Sequence, residues 1–268
     1  MAADYRAGVA EQGREIRQLL VCEDGTDPRL FDAGAAEILQ TPAGVTGARL
    51  REALFRAIDG TPASDAVLFA DCDDRMLPGA AETFLSALQT AEVAAADMEI
   101  TDPAGRPLRR RFFDGADLPD RTEDAGALAR RNWMGLTNTA VRREAVDWAA
   151  LSVPAAVSAV DWWLFATLLY RGLTAACVRT PVTRYRSNPA GTLGYGPARS
   201  FEALQRRLSL VADHQTALLG RPTAEIAGLQ ALALRRAPEM EHALADLPET
   251  GVWYEDVFRL AERLETAP

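Results

Sequence analysis

Apolar runs and helical stripes alternate through the first third of the chain. Residues 5–14 are polar and rich in helix formers, and residues 16–22 (IRQLLVC) then form a short apolar run. That run stops at Glu23-Asp24-Gly25-Thr26, the pattern of a buried strand entering a turn. Residues 36–41 (AEILQT) are a second candidate strand, closed by Pro42-Ala43-Gly44. Over 45–58, Leu50, Leu54 and Ile58 recur at helical spacing. Residues 66–70 are wholly apolar and end at Asp71-Cys72-Asp73-Asp74. Pro78 then precedes a helical stretch over 80–88. This alternation predicts an α/β fold with a Rossmann-like, mostly parallel sheet flanked by helices. Ligands of such sheets bind beyond the carboxyl ends of the strands, where both acidic clusters fall.

The middle of the chain is less regular. Residues 93–101 read as a strand before the turn Asp102-Pro103-Ala104-Gly105, and 109–113 (RRRFF) as an edge strand or a loop. Residues 134–141 are strand-like, with a helix expected from Arg142 onwards. Residues 161–170 predict a buried helix ended by Gly172, and 180–186 a last strand before the Gly-rich stretch 189–196. From 199 to 268 the pattern is helical, broken at Gly220-Arg221-Pro222, at Pro238 and at 248–251. The expected organisation is therefore an α/β domain over 1–198 and a helical C-terminal tail over 199–268. The tail is a candidate for packing on the domain or for a homodimer contact.

Composition narrows the chemistry. The 268 residues hold 29 basic side chains, all Arg, against 38 Asp and Glu, for a net charge of −9. Without Lys there is no P-loop lysine, no Schiff-base lysine and no Ser-Lys dyad. Two histidines cannot build a His-rich zinc site. The acidic balance argues against a nucleic-acid partner. Three dispersed cysteines form no CxxC and no disulfide framework. No apolar run is long enough to span a bilayer, and residues 1–6 lack a signal-peptide core. The expected compartment is the cytoplasm, with the inner membrane face as a peripheral option.

The acid cluster has two readings at this stage. Asp71 and Asp73, two apart at a strand end, could both reach one hard cation that a substrate's phosphates complete. Alternatively the segment is a solvated turn in which Asp73 or Asp74 caps a helix. A strand leading to Asp-x-Asp also opens haloacid-dehalogenase-like phosphatases. Those continue with Thr or Val and use a downstream Lys, whereas here Asp74-Arg75 follows and no Lys exists.

Six segments follow one another in order: LLVCEDGT at 19–26, GVTGARLREAL at 44–54, LFADCDD at 68–74, TNTAVRREAV at 137–146, AVDWWLFATLLYRG at 159–172 and TPVTRYRSNPAGTLG at 180–194. Taken together they resemble the GT-A glycosyltransferases of the family-2 type. The resemblance implies inverting transfer of a sugar from a UDP-, GDP- or dTDP-sugar to a glycan acceptor in cell-surface polysaccharide synthesis, assisted by Mn²⁺ or Mg²⁺. By that resemblance Asp24 contacts the nucleobase, Arg49 lies near the nucleotide and Asp71 near the ribose. Asp73, with Asp71, holds the metal against the diphosphate, and Asp161 is the base on the acceptor hydroxyl. A carboxylate can do that work, although Asp161 also reads as a plain N-cap. Trp162 could stack on an acceptor sugar or pack in the core. Arg142, with Arg143, reads as a solvated helix start or as facing an anionic acceptor.

The sequence departs from the family pattern in three places. The family opens with an apolar strand ending P-x-Y/F-N, and nothing before residue 16 resembles it. The expectation is a start assigned too late or a truncated relative. In the latter case the chain would be a non-catalytic GT-A-like module acting in protein interaction. Leu50 stands where A-R-N has Asn, and Val160 where E-D has Glu. Ser187-Asn188 follows the Y-R strand, where the family often has a His.

Overall fold

The computed structural model describes the chain apart from residues 14, 33–35, 63, 188–196, 236–237, 248–250 and 267–268. The expected Gly-rich stretch 189–196 and most of the tail break at 248–251 lie outside the described residues.

Helix α1 (Ala2–Ala10) comes first, followed by β1 (Leu19–Glu23) and β2 (Glu37–Thr41). Then come α2 (Gly47–Gly60), β3 (Ala66–Leu68), the short β4 (Arg75–Met76) and α3 (Ala80–Ala87). Strands β5 (Val93–Thr101), β6 (Pro107–Arg111) and β7 (Arg121–Thr122) precede α4 (Ala125–Arg130), β8 (Thr139–Arg142) and α5 (Val160–Tyr170). The long β9 (Ala175–Arg186) closes the sheet, and α6 (Phe201–Leu219), α7 (Ala224–Leu234), α8 (Pro238–Ala245) and α9 (Glu255–Thr266) form the tail.

The seven-stranded sheet has the order β3-β8-β5-β9-β4, with β6 paired to β5 and β7 to β9. β5 is its centre because Val-Ala-Ala-Ala is small on both faces. Val93, Ala95, Met98 and Ile100 enter the large core, and Ala94 and Ala96 the smaller one under α3. The α/β architecture with a helical C-terminal region is as expected, but the sheet is mixed rather than mostly parallel. Among the described residues parallel pairing is limited to β1 with β2 and β5 with β9, while β3-β8, β5-β8, β4-β9, β5-β6 and β7-β9 are antiparallel. An apolar run reports that a strand is buried, not which way it runs. β1 and β2 form a two-stranded sheet of their own, apart from β3.

Two local expectations fail. No long helix follows Arg142: a single 3-10 turn spans Arg143–Ala145, and the chain is irregular to residue 159. Pro154 breaks the segment, and its buried residues, Trp148, Leu151, Val153 and Val157, keep no helical spacing. The last strand begins at Ala175 rather than 180, since Ala175–Val178 pairs with Val93–Ala96.

The tail shares the large core with the sheet. Leu204, Leu208 and Val211 of α6 and Val257, Phe258 and Leu260 of α9 belong to the same buried cluster as β5 and α5. Asp256 accepts from the Ala198 backbone at 2.8 Å and from Arg207 at 2.7 Å, which pins α9 to α6. No helix among the described residues is long and apolar enough to cross a membrane.

Candidate active site

The loop after β3 is built around one buried carboxylate. Asp74 is 3% exposed; its Oδ2 accepts from Thr137 Oγ1 and its Oδ1 from the Arg186 backbone N–H at 2.8 Å. Burial raises the Asp74 carboxyl well above its ordinary value, with the Asp71 charge adding. The Arg186 guanidinium secures the rest, donating to the Asp73 carbonyl (3.0 Å), the Pro103 carbonyl (3.1 Å) and Asp4 Oδ2 (3.1 Å). The end of β9 thus fixes the turn, and the Asp71 and Asp73 side chains project from a rigid base. Asp73 is exposed, and partial desolvation together with Asp71 raises its carboxyl.

Asp71 does not stand alone. Arg51 of α2 donates to its Oδ1 at 2.7 Å, each side chain about a third exposed (33% and 34%). Desolvation opposes the Arg51 charge, but Asp71 and then Asp161 outweigh it and raise the pKa. Asp161, in the first turn of α5, completes the group. Desolvation pushes its carboxyl up to about 6, the Asp71 charge adds to that, and the Trp162 N–H (2.8 Å) and Arg51 oppose it. It is not the N-cap, a position that Ala159 holds without a side-chain bond. Asp71, Arg51 and Asp161 therefore lie within electrostatic reach of one another, beside the projecting Asp73.

Asp24 is exposed at the carboxyl end of β1, its N–H on Thr41 O (2.7 Å) and its Oδ1 accepting from Gly25 N–H. Cys22, just before it, is close enough to Cys72 to add to the burial that pushes the Cys72 thiol up to about 11. Asp24 therefore stands on the same side of the molecule as the acid loop.

Arg49 does not join the acids. It is 61% exposed and bonds Glu52 in its own helix, which also pairs with Arg56. Residues two apart on a helix point roughly 200° apart, so only one of Arg49 and Arg51 can face the loop. The signal for Arg51 was present: it falls in register with Leu54, Phe55 and Ile58, an arginine on a core-facing stripe.

Two weaker acceptor residues are placed elsewhere. Trp162 is 0% exposed, with its indole stacked on His214 at 3.7 Å between centroids, near Tyr254 at 5.3 Å, and its Nε1–H donated to Leu128 O. Both ring faces are covered, so Trp162 is core and presents no face to a sugar. Arg142 pairs with Ala66, at the end of β3 opposite the acid loop. Its guanidinium binds the Leu88 and Ala91 carbonyls, at and beyond the C-terminus of α3. Arg143 does the same for α2 through the carbonyls of Ile58, Asp59 and Thr61. The pair satisfies helix-end carbonyls, a role that suits cations.

The acids also bear on the cation. Among the described residues, no three His, Cys, Asp or Glu side chains cluster as a metal site. Asp74 is committed to Thr137 and Arg186, and one oxygen of Asp71 to Arg51. What is left is Asp73 and the second oxygen of Asp71. Such a set fits a divalent ion shared with phosphate oxygens and not one the protein cages alone.

No known protein-family profile matches the sequence, and no curated protein does. Solved structures do match in fold. S. aureus TarS residues 1–349 in complex with UDP-GlcNAc aligns with TM-score 0.54 at 12% identity, over 99% of this chain and 87% of that one. A structure of S. aureus TarS aligns at 0.52 and 14% identity, over 90% of this chain and 41% of that one. TarS is a glycosyltransferase, and this chain has its fold.

Proposed function

We propose that this protein transfers a sugar, with inversion, from a nucleoside-diphosphate sugar to a hydroxyl of a glycan acceptor in the cytoplasm. The observation that carries the reading is Asp161: a desolvated carboxyl at about 6, facing Asp71 and Arg51 at the mouth of a glycosyltransferase-like fold. A base of that pKa is largely ionised near neutrality and still basic enough to take a proton. In this reading Asp161 receives the proton of the acceptor hydroxyl as its oxygen attacks the anomeric carbon. The bond from that carbon to the diphosphate oxygen breaks, and the nucleoside diphosphate leaves. Arg51, bonded to Asp71 in a chain without lysine, offers a fixed positive charge to the departing group. Asp73 and the second oxygen of Asp71 would hold Mn²⁺ or Mg²⁺, which would supply further charge neutralisation at the diphosphate. Asp24 would meet the base. UDP-sugars are the first donors to try, because the matched TarS structure holds UDP-GlcNAc.

The test is hydrolysis of, or transfer from, UDP-, GDP- and dTDP-sugars with Mn²⁺, comparing wild type with Asp73→Ala and Asp161→Ala. Loss of the base should cost about 10²–10⁴-fold. If both variants match wild type, the site assignment fails.

A second reading is favoured by the separation of β1 from β3, which leaves the wall beside Asp71 open. In that reading the module does not bind donor and acts through a protein partner. Calorimetry with UDP, GDP and dTDP plus Mn²⁺ separates the two, since tight nucleotide binding excludes the second.

A further inference from the structure

The helical tail brings one strained residue up to the base. Tyr254 is the one non-glycine among the described residues with a positive φ, 62°, a conformation that a bulky side chain rarely takes. The turn that holds it is fixed from several directions. Gly251, at φ 128, lies so close to the Glu255 carboxylate that a Cβ there would collide with it. Glu255 also accepts from the Val252 N–H at 3.1 Å, and the Val257 N–H donates to Tyr254 O at 3.1 Å. Trp253 pairs with Asn132 through the backbone and lays its indole on Gly135, where a Cβ would stand 2.5 Å from the ring. Strain of this kind persists only where the surroundings impose it, and it clusters where a side chain must be aimed.

The group aimed here is the phenol. Its ring lies against the indole of Trp162, 5.3 Å between centroids and 19° from parallel. The Trp162 N–H is the group that holds Asp161 Oδ1. Tyr254 is 3% exposed, and burial raises its pKa well above the ordinary phenol value, so it keeps its proton. After burial, Asp161 acts most strongly on its ionisation, ahead of Arg207, Tyr185 and Asp256. Arg207 and Asp256 are bonded to each other at 2.7 Å, and the Tyr185 hydroxyl accepts from the Trp253 indole. Asp161 is held by backbone N–H groups. Among the described residues the Tyr254 hydroxyl itself makes no hydrogen bond. A phenol buried that deeply calls for a partner, and one oxygen between it and Asp161 would satisfy both groups.

We propose that Tyr254 and Asp161 hold one oxygen between them, a water in the free protein and the acceptor hydroxyl during transfer, so that the tail supplies part of the acceptor site. The acceptor role rests on the transferase reading; the bridge does not. Tyr254 donates its O–H to a lone pair of that oxygen and keeps its own proton throughout. The proton of the bound hydroxyl goes to Asp161 as the oxygen attacks. Two fixed contacts set the direction of that attack.

The variant that tests this is Tyr254→Phe, which keeps the ring and the turn and removes only the hydroxyl. Crystal structures of the full chain come first. Wild type should hold a water within about 3.2 Å of both the Tyr254 hydroxyl and the Asp161 carboxylate, and Tyr254→Phe should lose it. A wild type without that water overturns the proposal, whatever its activity. Turnover of UDP-GlcNAc with Mn²⁺ then reads the acceptor role. The variant should lose about ten- to hundredfold in kcat. UDP affinity by calorimetry and the urea midpoint should stay unchanged, because the stack on Trp162 is retained. Equal kcat in the two chains overturns the acceptor role, and so does a parallel loss of UDP binding and stability, which would make Tyr254 a packing residue. A wild type that holds the bridging water but turns over no UDP-, GDP- or dTDP-sugar overturns the transferase reading instead, with the bridge intact.

Discussion

Arg51 and Asp71 meet at 2.7 Å where α2 faces the loop after β3, while Arg49, two residues earlier, turns away to Glu52. The two arginines therefore separate by experiment. Arg51→Ala should weaken UDP binding by about tenfold, a typical value for losing one charge-assisted contact, whereas Arg49→Ala should leave it within about twofold. Because the Arg51–Asp71 pair is a third exposed, its loss should change unfolding stability by no more than about 1 kcal/mol. Isothermal calorimetry and urea melts on the two variants decide the matter, and weaker binding in Arg49→Ala alone would reverse the assignment.

Asp161 predicts a pH dependence. If it is the base, activity should rise with pH through an acidic limb near 6, where the folded carboxyl ionises. The limb should be absent from the residual rate of Asp161→Asn. Stability runs the other way. The folded carboxyl holds its proton up to about 6 against an ordinary 3.8, so between those values the folded chain binds more protons than the unfolded one. Its contribution is present below 3.8 and lost as pH rises through about 6. Asp161→Asn should therefore be at least as stable as wild type at pH 7, and a clearly less stable variant would show that the carboxylate holds the start of α5 in place.

His214 pulls in the opposite direction. It is 1% exposed and stacked on Trp162, and neither ring nitrogen has a partner among the described residues. Desolvation lowers its pKa from 6.5 to about 3. Between those values the unfolded chain binds more protons, so the contribution is present above 6.5 and lost as pH falls towards 3. Urea titrations at pH 7 and pH 5 should show wild type losing more stability than His214→Leu over that interval. Equal losses would mean that the ring finds a proton partner after all.

The parts of this structure that were legible in the sequence are those set by local pattern. Residues 93–101 (VAAADMEIT), apolar at six of nine positions and closed by a Pro-Gly turn, read as a strand. The turn at Asp71–Asp74 followed from an apolar run meeting carboxylates. Strand direction was not legible, because burial on both faces looks the same in either orientation. β4 and β7, two residues each, carry no periodicity at all. At the site, the acids were readable by type, but their partners come from remote segments: Thr137 and Arg186 for Asp74, and Arg51 for Asp71. For Trp162 the sequence leaves the acceptor and the core role both open, because what covers it, His214 and Tyr254, comes from the tail. Tyr254 sits there at φ 62, a left-handed conformation costly for a side chain, held by its burial at 3% exposure.

The two helix-end arginines give the last prediction. Arg143 donates to three carbonyls at and beyond the C-terminus of α2, the helix that carries Arg51, and Arg142 does the same for two carbonyls after α3. Removing either should destabilise the chain by about 1 kcal/mol through orphaned carbonyls and the lost helix-end charge. The two should differ in function. Arg142→Ala lies at the opposite end of β3 from Asp71 and should leave nucleotide affinity and rate unchanged. Arg143→Ala loosens the last turn of α2 and should weaken UDP binding no more than about twofold, because Arg51 lies two turns upstream. Unfolding midpoints measured alongside calorimetry test both. A selective loss of transfer in a fully stable Arg142→Ala would return that residue to an acceptor role.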